Sequence, residues 1–196
     1  MRSTKLFLLT LLVGAVSVVP AAAVPITYVH TGFGSGNLAG VEFGALAPVA
    51  FTITSVGDTD NVVSCGAGCL SNDNITASID IAGLGTFDFI TGTHYFENLG
   101  GVGFSRGGGD LFDGPALAVW DMVSSVGPIV GTANLMQWDL TPVLTTGGVL
   151  SFDSALTAST FTATVGAPVP EPATLLLLGG GLAAGGLKRR LRKRAS

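Results

Sequence analysis

The chain has 196 residues and a formal net charge of −4, but its charges are strongly separated along the sequence. Eight of its nine Lys and Arg residues lie within the first five or the last nine residues, so residues 24–167 carry twelve carboxylates against Arg106 alone, a net charge of −11. Nucleic-acid binding needs clustered Lys and Arg to neutralise phosphates, and this composition argues against it. An acidic middle section of this length fits one exported soluble domain, with or without bound cations.

The first 23 residues have the three parts of a secretory signal peptide. Two basic residues give a positive start, residues 6–19 form an apolar run, and Ala21 and Ala23 supply the small side chains that a signal peptidase requires. The sequence therefore predicts a signal helix with cleavage after Ala23. This prediction implies the Sec translocon and signal peptidase as partners.

Residues 24–167 contain short apolar runs rich in β-branched and aromatic residues, separated by Gly, Asn, Asp and Ser and without helical periodicity. The predicted strands are residues 26–31, 49–56, 75–82, 87–90, 117–123, 135–140, 149–152 and 160–165. Gly83-Leu84-Gly85 predicts a hairpin between the third and fourth of them. The fold class predicted is all-β: a single antiparallel β-sandwich of jelly-roll or immunoglobulin-like type, flanked by the signal helix and a short C-terminal transmembrane helix.

Cys65 and Cys69 are the two cysteines of the chain, and they enclose a Gly-containing loop. In an exported protein this arrangement predicts a disulfide. Because the closed loop is short, the bond would pin the loop and not the fold.

Three acidic residues, Asp58, Asp60 and Asp73, lie in Asp/Asn-rich segments that resemble turns. Oxygen-rich loops of exported β proteins can hold calcium, which makes these residues a candidate calcium set. The alternative is that Asp and Asn side chains cap turns by bonding their own backbone. No other cofactor is expected.

The segment Gly103-Phe104-Ser105-Arg106-Gly107 satisfies the Gly-x-Ser-x-Gly pattern of serine hydrolases. Glycines follow it where the nucleophile elbow needs a helix, so we predict a Gly-rich surface loop and no enzyme activity. Arg106 either pairs with Asp110 or Asp113 to order this loop, or stays free to bind an extracellular polysaccharide.

The last 29 residues have three distinct parts. Prolines surround Val169, Pro170, Glu171 and Pro172 and favour an extended, accessible backbone. The apolar residues 173–187 would span about 22 Å as a helix, against roughly 30 Å of hydrocarbon, so a membrane anchor here is marginal. A basic tail follows that cannot enter lipid and stays cytoplasmic. Its members are Lys188, Arg189, Arg190, Arg192, Lys193 and Arg194.

These three parts resemble the tripartite signal of the PEP-CTERM family, which also appears on some ice-binding proteins. The resemblance covers residues 168–196 and implies a Gram-negative bacterium. It further implies cleavage at Pro-Glu-Pro by a membrane-embedded exosortase, after transient anchoring in the inner membrane, and delivery to the envelope or the extracellular matrix.

The function predicted is a non-enzymatic structural or adhesive role in the envelope or matrix, and three alternatives stay open. A carbohydrate-binding module would use the rings of Tyr28, Tyr95, Trp120 and Trp138 as a stacking platform, although these rings also fit a core. An ice-binding protein would need regularly spaced threonines, and the dense group is Thr157, Thr160, Thr162 and Thr164. A hydrolase lacks a usable nucleophile and base.

Overall fold

The computed structural model describes residues 24–167 apart from Gly108 and Gln137, and within this part the chain is all-β. It contains fifteen strands, a 3-10 turn at Thr59–Asn61 and no α-helix. The strands are β1 (Pro25–Gly34), β2 (Gly36–Leu38), β3 (Val41–Phe43), β4 (Val49–Asp58), β5 (Val63–Gly66), β6 (Cys69–Asp73), β7 (Thr76–Ile81), β8 (Gly85–Asp88), β9 (Thr93–Asn98), β10 (Gly101–Arg106), β11 (Gly109–Ala116), β12 (Val126–Leu135), β13 (Val143–Thr145), β14 (Gly148–Phe152) and β15 (Ala155–Val165). The predicted all-β class is confirmed.

Eleven of the described strands form one antiparallel sheet in the order β5-β6-β9-β10-β11-β12-β15-β1-β4-β7-β8. The first and last long strands lie side by side in it, with Ile26 opposite Val165 and Thr31 opposite Thr160. A second sheet has the order β13-β14-β2-β3. An isolated bridge between Phe89 and Thr145 joins the two sheets.

The large sheet curls so that strands far apart in its order face each other. The rings of Tyr28 on β1 and Tyr95 on β9 lie 4.6 Å apart, although four strands separate β1 from β9 in the sheet. Asn72 on β6 closes this curl by donating hydrogen bonds to the Tyr28 hydroxyl and to the Asp58 carbonyl oxygen. The architecture is one curled antiparallel sheet with a smaller sheet beside it, and the jelly-roll or immunoglobulin-like arrangement stays a prediction.

The inner face of the curled sheet holds the core because inward positions of its strands alternate with solvent-facing ones. Aromatic rings dominate this core and pack edge to face, as Phe51 does with Phe112 and Trp138 with Phe152. Burial of such large rings stabilises the fold by about 25 cal/mol per Å² of apolar surface that is removed from water.

Two predicted strands are wrong because polar side chains hold turns in their place. Residues 117–123 form a loop in which the Asp121 carboxylate accepts hydrogen bonds from the Val123 and Ser124 amides. The Ser124 hydroxyl also donates to this carboxylate, and these bonds lower the pKa of Asp121. In the segment 135–140 only Leu135 belongs to a strand. Asx turns of this kind compete with strand pairing.

The predicted signal helix and transmembrane helix lie outside the described residues. Among the residues that are described, no helix is long and apolar enough to cross a membrane. The hairpin predicted at Gly83–Gly85 is confirmed, since β7 and β8 pair across it with Ile81 opposite Gly85.

Candidate functional site

Three neighbouring strands, β15, β1 and β4, present an outer surface of threonine and valine. Its nine positions form three rows across the strands, and we call this surface the threonine face. The rows are Thr164–Thr27–Val56, Thr162–Val29–Thr54 and Thr160–Thr31–Thr52. Seven of the nine side chains are Thr, two are Val, and none is buried or charged.

The backbone geometry makes this surface regular in two directions. Neighbouring strands lie about 4.8 Å apart, and same-face positions along a strand recur about every 6.8 Å. The pairing of β1 with β15 and with β4 proceeds without a register shift over the face. The array therefore measures roughly 10 Å by 14 Å. Thr76 and Ser78 on β7 continue two of its rows by one more strand.

The threonines of the threonine face are partly or fully exposed, and most of their hydroxyls have no partner within the protein. The Thr31 hydroxyl accepts a hydrogen bond of 3.1 Å from the Thr160 amide. The other six hydroxyls of the face make no hydrogen bond within the described part of the chain. Water is therefore the partner available to them.

The sequence predicted only the part of the threonine face that lies on β15. Thr160, Thr162 and Thr164 of the predicted group lie on it, whereas Thr157 points inward, where its hydroxyl accepts a hydrogen bond from the Phe33 amide. The threonines of β1 and β4 were missed, although Thr27 and Thr52 each lie between two buried residues with large apolar side chains, which is the signal of an outward position. Only the strand register shows that they form rows with β15.

The aromatic platform predicted for sugar stacking does not exist as an accessible surface. Tyr28, Tyr95 and Trp138 are fully buried and Trp120 is 5% exposed. Burial raises the pKa of Tyr28 to about 12 and raises that of Tyr95 well above its usual value. Trp120 and Trp138 fall within two of the predicted strands, but both lie in loops. These four rings belong to the core.

The Gly-rich segment predicted as a surface loop is strand β10, and this prediction is wrong. Phe104 packs inside, and Ser105 is 1% exposed. The Ser105 hydroxyl donates a hydrogen bond of 2.7 Å to the Asp110 carboxylate, so a carboxylate and not a histidine holds it. Nearby, burial and the charge of Asp110 raise the pKa of Asp113. Gly103 serves close packing here, since a Cβ at this position would collide with the Phe96 ring.

Arg106 does not form the predicted clamp. Ser105 and Asp110 share one face of the sheet, whereas Arg106 alternates to the other face. Its Nε is buried without a hydrogen-bond partner among the described residues.

The Cys65–Cys69 disulfide is confirmed and closes the turn between β5 and β6. The candidate calcium residues lie close to this hairpin in the sequence. Asp58 caps the 3-10 turn by accepting a hydrogen bond from the Asp60 amide. At Asp58 the structure therefore shows the turn cap that was the alternative to a calcium ligand. Within the described ranges no three His, Cys, Asp or Glu side chains form a group that could hold a metal ion.

A polar cavity of about 190 Å³ lies on the smaller sheet. Asn37, Glu42 and Asp153 line it, and the Ser35 hydroxyl donates a hydrogen bond of 2.5 Å to Asp153. Phe43 is its aromatic member and is itself buried. The cavity therefore offers hydrogen-bonding groups but no exposed ring for sugar stacking.

The class that these observations define is an all-β domain, which the sequence continues into a separate C-terminal segment. Residues 168–193 match the family model of the PEP-CTERM protein-sorting motif, which includes the predicted Val169–Pro172 signal and most of the basic tail. The C-terminal segment is thus a PEP-CTERM sorting motif, and it marks the chain for export and for processing by an exosortase. No curated protein and no solved structure matches the chain.

Proposed function

We propose that this chain is an exported structural or adhesive protein of the bacterial envelope or extracellular matrix. The observation that carries the proposal is the PEP-CTERM motif at residues 168–193, which begins three residues after the last strand of the β domain ends at Val165. The motif directs delivery, and the β domain is the part that is delivered.

The proposed route uses each end of the chain once. The signal peptide leads the chain through the Sec translocon and is removed after Ala23 by signal peptidase. The basic tail then keeps the C-terminus in the cytoplasm, so that the short apolar run holds the protein transiently in the inner membrane. An exosortase cleaves at Pro170-Glu171-Pro172 and releases the domain on the outer side.

A non-enzymatic role is supported by the surroundings of the serine in the hydrolase-like pattern. Ser105 is buried on β10, and its hydroxyl donates a hydrogen bond to the Asp110 carboxylate. A nucleophile also needs access to its substrate, and the burial of Ser105 denies it that access.

The test is the intact mass of the protein recovered outside cells of an exosortase-containing Gram-negative bacterium. We expect a form that begins at Val24 and lacks residues 173–196. Exchange of Pro170 and Pro172 for Ala should leave the tail in place, whereas Pro168→Ala, which keeps the Pro170-Glu171-Pro172 triplet intact, should still be processed. Recovery of the unprocessed tail from the outside fraction would contradict the sorting route.

The structural or adhesive role is tested separately by the fate of the processed protein. It should remain with the envelope or matrix when cells are washed and should be depleted there in a strain that lacks the exosortase. Quantitative release into the medium as free monomer would show that the role is neither structural nor adhesive.

A further inference from the structure

An apolar patch lies on the outside of the curled sheet, next to the threonine face. Its three large side chains are Phe33 on β1, Val130 on β12 and Leu156 on β15, which are 50%, 78% and 74% exposed. Ala50 on β4 and Ala158 on β15 complete it, and both are exposed. We call these five residues the Phe33 patch.

Strand pairing and one hydrogen bond hold Phe33 at the centre of this patch. Phe33 lies opposite Ala50 on the β4 side. On the β15 side its amide donates a hydrogen bond of 2.8 Å to the Thr157 hydroxyl. Leu156 and Ala158 flank the inward-pointing Thr157, so they lie on the outer face next to Phe33. The ring therefore projects between two small alanine side chains.

The patch extends over four neighbouring strands. Val130 brings in β12, since it lies opposite Thr160 and is diagonal to Ala158. From the usual strand spacings the patch measures roughly 14 Å by 14 Å between Cα positions, or roughly 400 Å² with its side chains. Exposed apolar patches of this size on a soluble domain often mark an interaction site.

The patch is uncharged, although residues 24–167 carry a net charge of −11. Two carboxylates border it: Asp80 lies opposite Thr52 on β4, and the Asp153 amide bonds the Ser35 carbonyl oxygen. The hydroxyls of Thr86 and Ser35 donate hydrogen bonds to these carboxylates. A basic partner is attracted to the acidic surface elsewhere, so the patch suits a partner whose own contact surface is neutral and apolar.

We propose that the Phe33 patch binds the same patch of a second copy of the chain, in a weak two-fold dimer. A two-fold axis through the patch lets the Phe33 ring of each copy pack over the alanines of the other, because ring and alanines lie side by side. Two domains of −11 repel each other, and contact through uncharged side chains buries no unpaired carboxylate. The second copy therefore supplies both the shape and the neutrality that the patch requires.

The area of the patch sets the strength of the dimer. Two copies bury roughly 800 Å² together, whereas stable complexes bury roughly 1,600 Å² and transient ones less than about 1,200 Å². The dimer is therefore reversible. The threonines of the adjoining row, Thr31, Thr52 and Thr160, provide a polar rim. The inference goes beyond the structural role proposed above, and it rests on β12, β15, β1 and β4 alone.

The experiment measures the monomer–dimer dissociation constant by sedimentation equilibrium, over protein concentrations up to about 1 mM. It uses the protein recovered outside the cells, with its ends defined by intact mass, so failure of the predicted processing does not affect it. The wild type should approach the mass of a dimer as its concentration rises. The dissociation constant should fall between about 0.01 M and about 0.15 M sodium chloride, because salt screens the repulsion.

Two variants place a charge in the contact. Phe33→Lys and Val130→Lys should each raise the dissociation constant roughly tenfold or more, because the dimer would bury an unpaired ammonium. Val149→Lys is the matched control, since Val149 is a valine of β14 that is 51% exposed and lies outside the patch. It makes the same change in net charge and should alter the constant by no more than about twofold.

Phe33→Ser removes the ring without a change in charge and should also weaken the dimer. It keeps the test valid if Phe33→Lys does not fold, and melting temperatures show which variants are folded.

A wild type that stays monomeric over the whole concentration range would overturn the inference. Unchanged dissociation constants in both Phe33→Ser and Val130→Lys, or an equal loss in Val149→Lys, would place the contact elsewhere. Masses that rise beyond the dimer would show a head-to-tail contact in place of a two-fold one. A monomeric wild type that binds a polysaccharide, and loses this binding in Phe33→Ser, would assign the patch to that polymer.

Discussion

His30 places both ring nitrogens in the core without a hydrogen-bond partner among the described residues. Its ring packs against Phe112 and Phe161, with centroids 4.2 Å and 5.3 Å away, and Gly114 leaves room for it. Burial lowers the pKa of His30 to about 3. The side chain is therefore an apolar filler that stays neutral throughout the physiological range.

This burial predicts acid sensitivity. The pKa of His30 in the folded chain lies below the value of about 6.5 in the unfolded chain, so the unfolded state binds a proton first. The contribution to stability is complete above pH 6.5 and is lost as the pH falls toward 3. The free energy of unfolding should drop by about 2 kcal/mol between pH 8 and pH 5 through this group. Denaturant titrations at both pH values measure it.

His30→Leu should remove that part of the acid sensitivity, because an apolar side chain of similar size has no proton to bind. His94→Gln is the control, since His94 lies on β9 and is partly exposed. An unchanged pH dependence in His30→Leu would show that the carboxylates alone set the acid response.

Strand β10 shows how glycine can serve a strand interior. Gly103 lies opposite Phe96 on β9 and Asp113 on β11, and the Phe96 ring covers the space where a side chain would project. Gly103→Ala should destabilise the fold by about 1–3 kcal/mol, because the ring must move. Gly107→Ala, where nothing lies within 4 Å of the added Cβ, should be nearly neutral. Equal melting temperatures of the two variants would contradict the close packing of β10.

The elements that the sequence predicted are those with a strong local signal. Strands β1, β4 and β15 are rich in β-branched and aromatic residues, and the predicted segments lie within them. Gly-rich β10 has no such run and was predicted as a loop. The 117–123 segment failed because its apolar run belongs to a loop that Asp121 holds, from which Trp120 and Met122 are buried.

The threonine face and the buried ring cluster depend on pairing between distant segments. Thr31 lies beside Thr160, although 128 residues separate them, and this register cannot be deduced from either strand alone. The disulfide was predictable because Cys65 and Cys69 are close in the sequence, so its prediction did not depend on pairing between distant strands. The sorting motif was predictable for the same reason, since it is contiguous in the chain.

At the scale of the whole molecule, the excess of carboxylates makes the exported form repel itself. Residues 24–167 carry a net charge of −11, and salt shortens the screening length from about 30 Å at 0.01 M to about 10 Å at 0.1 M. Relief of this repulsion should stabilise the fold by on the order of 1 kcal/mol, or roughly 3 °C in melting temperature. Melting curves of the exported form in a sodium chloride series measure the effect.

Calcium chloride at matched ionic strength distinguishes screening from a specific site. Because the described residues bring no three acidic, His or Cys side chains together, calcium and sodium should give the same melting temperature at equal ionic strength. An additional rise with calcium that a chelator reverses would instead point to the loop containing Asp58 and Asp60. Asp60→Asn then tests whether calcium binds in this loop, since the Asp60 carboxylate is exposed and caps no turn. Asp58 is less suitable for this test, because its loss would also remove the cap of the 3-10 turn. A calcium effect that persists in Asp60→Asn would place the ion elsewhere on the acidic surface.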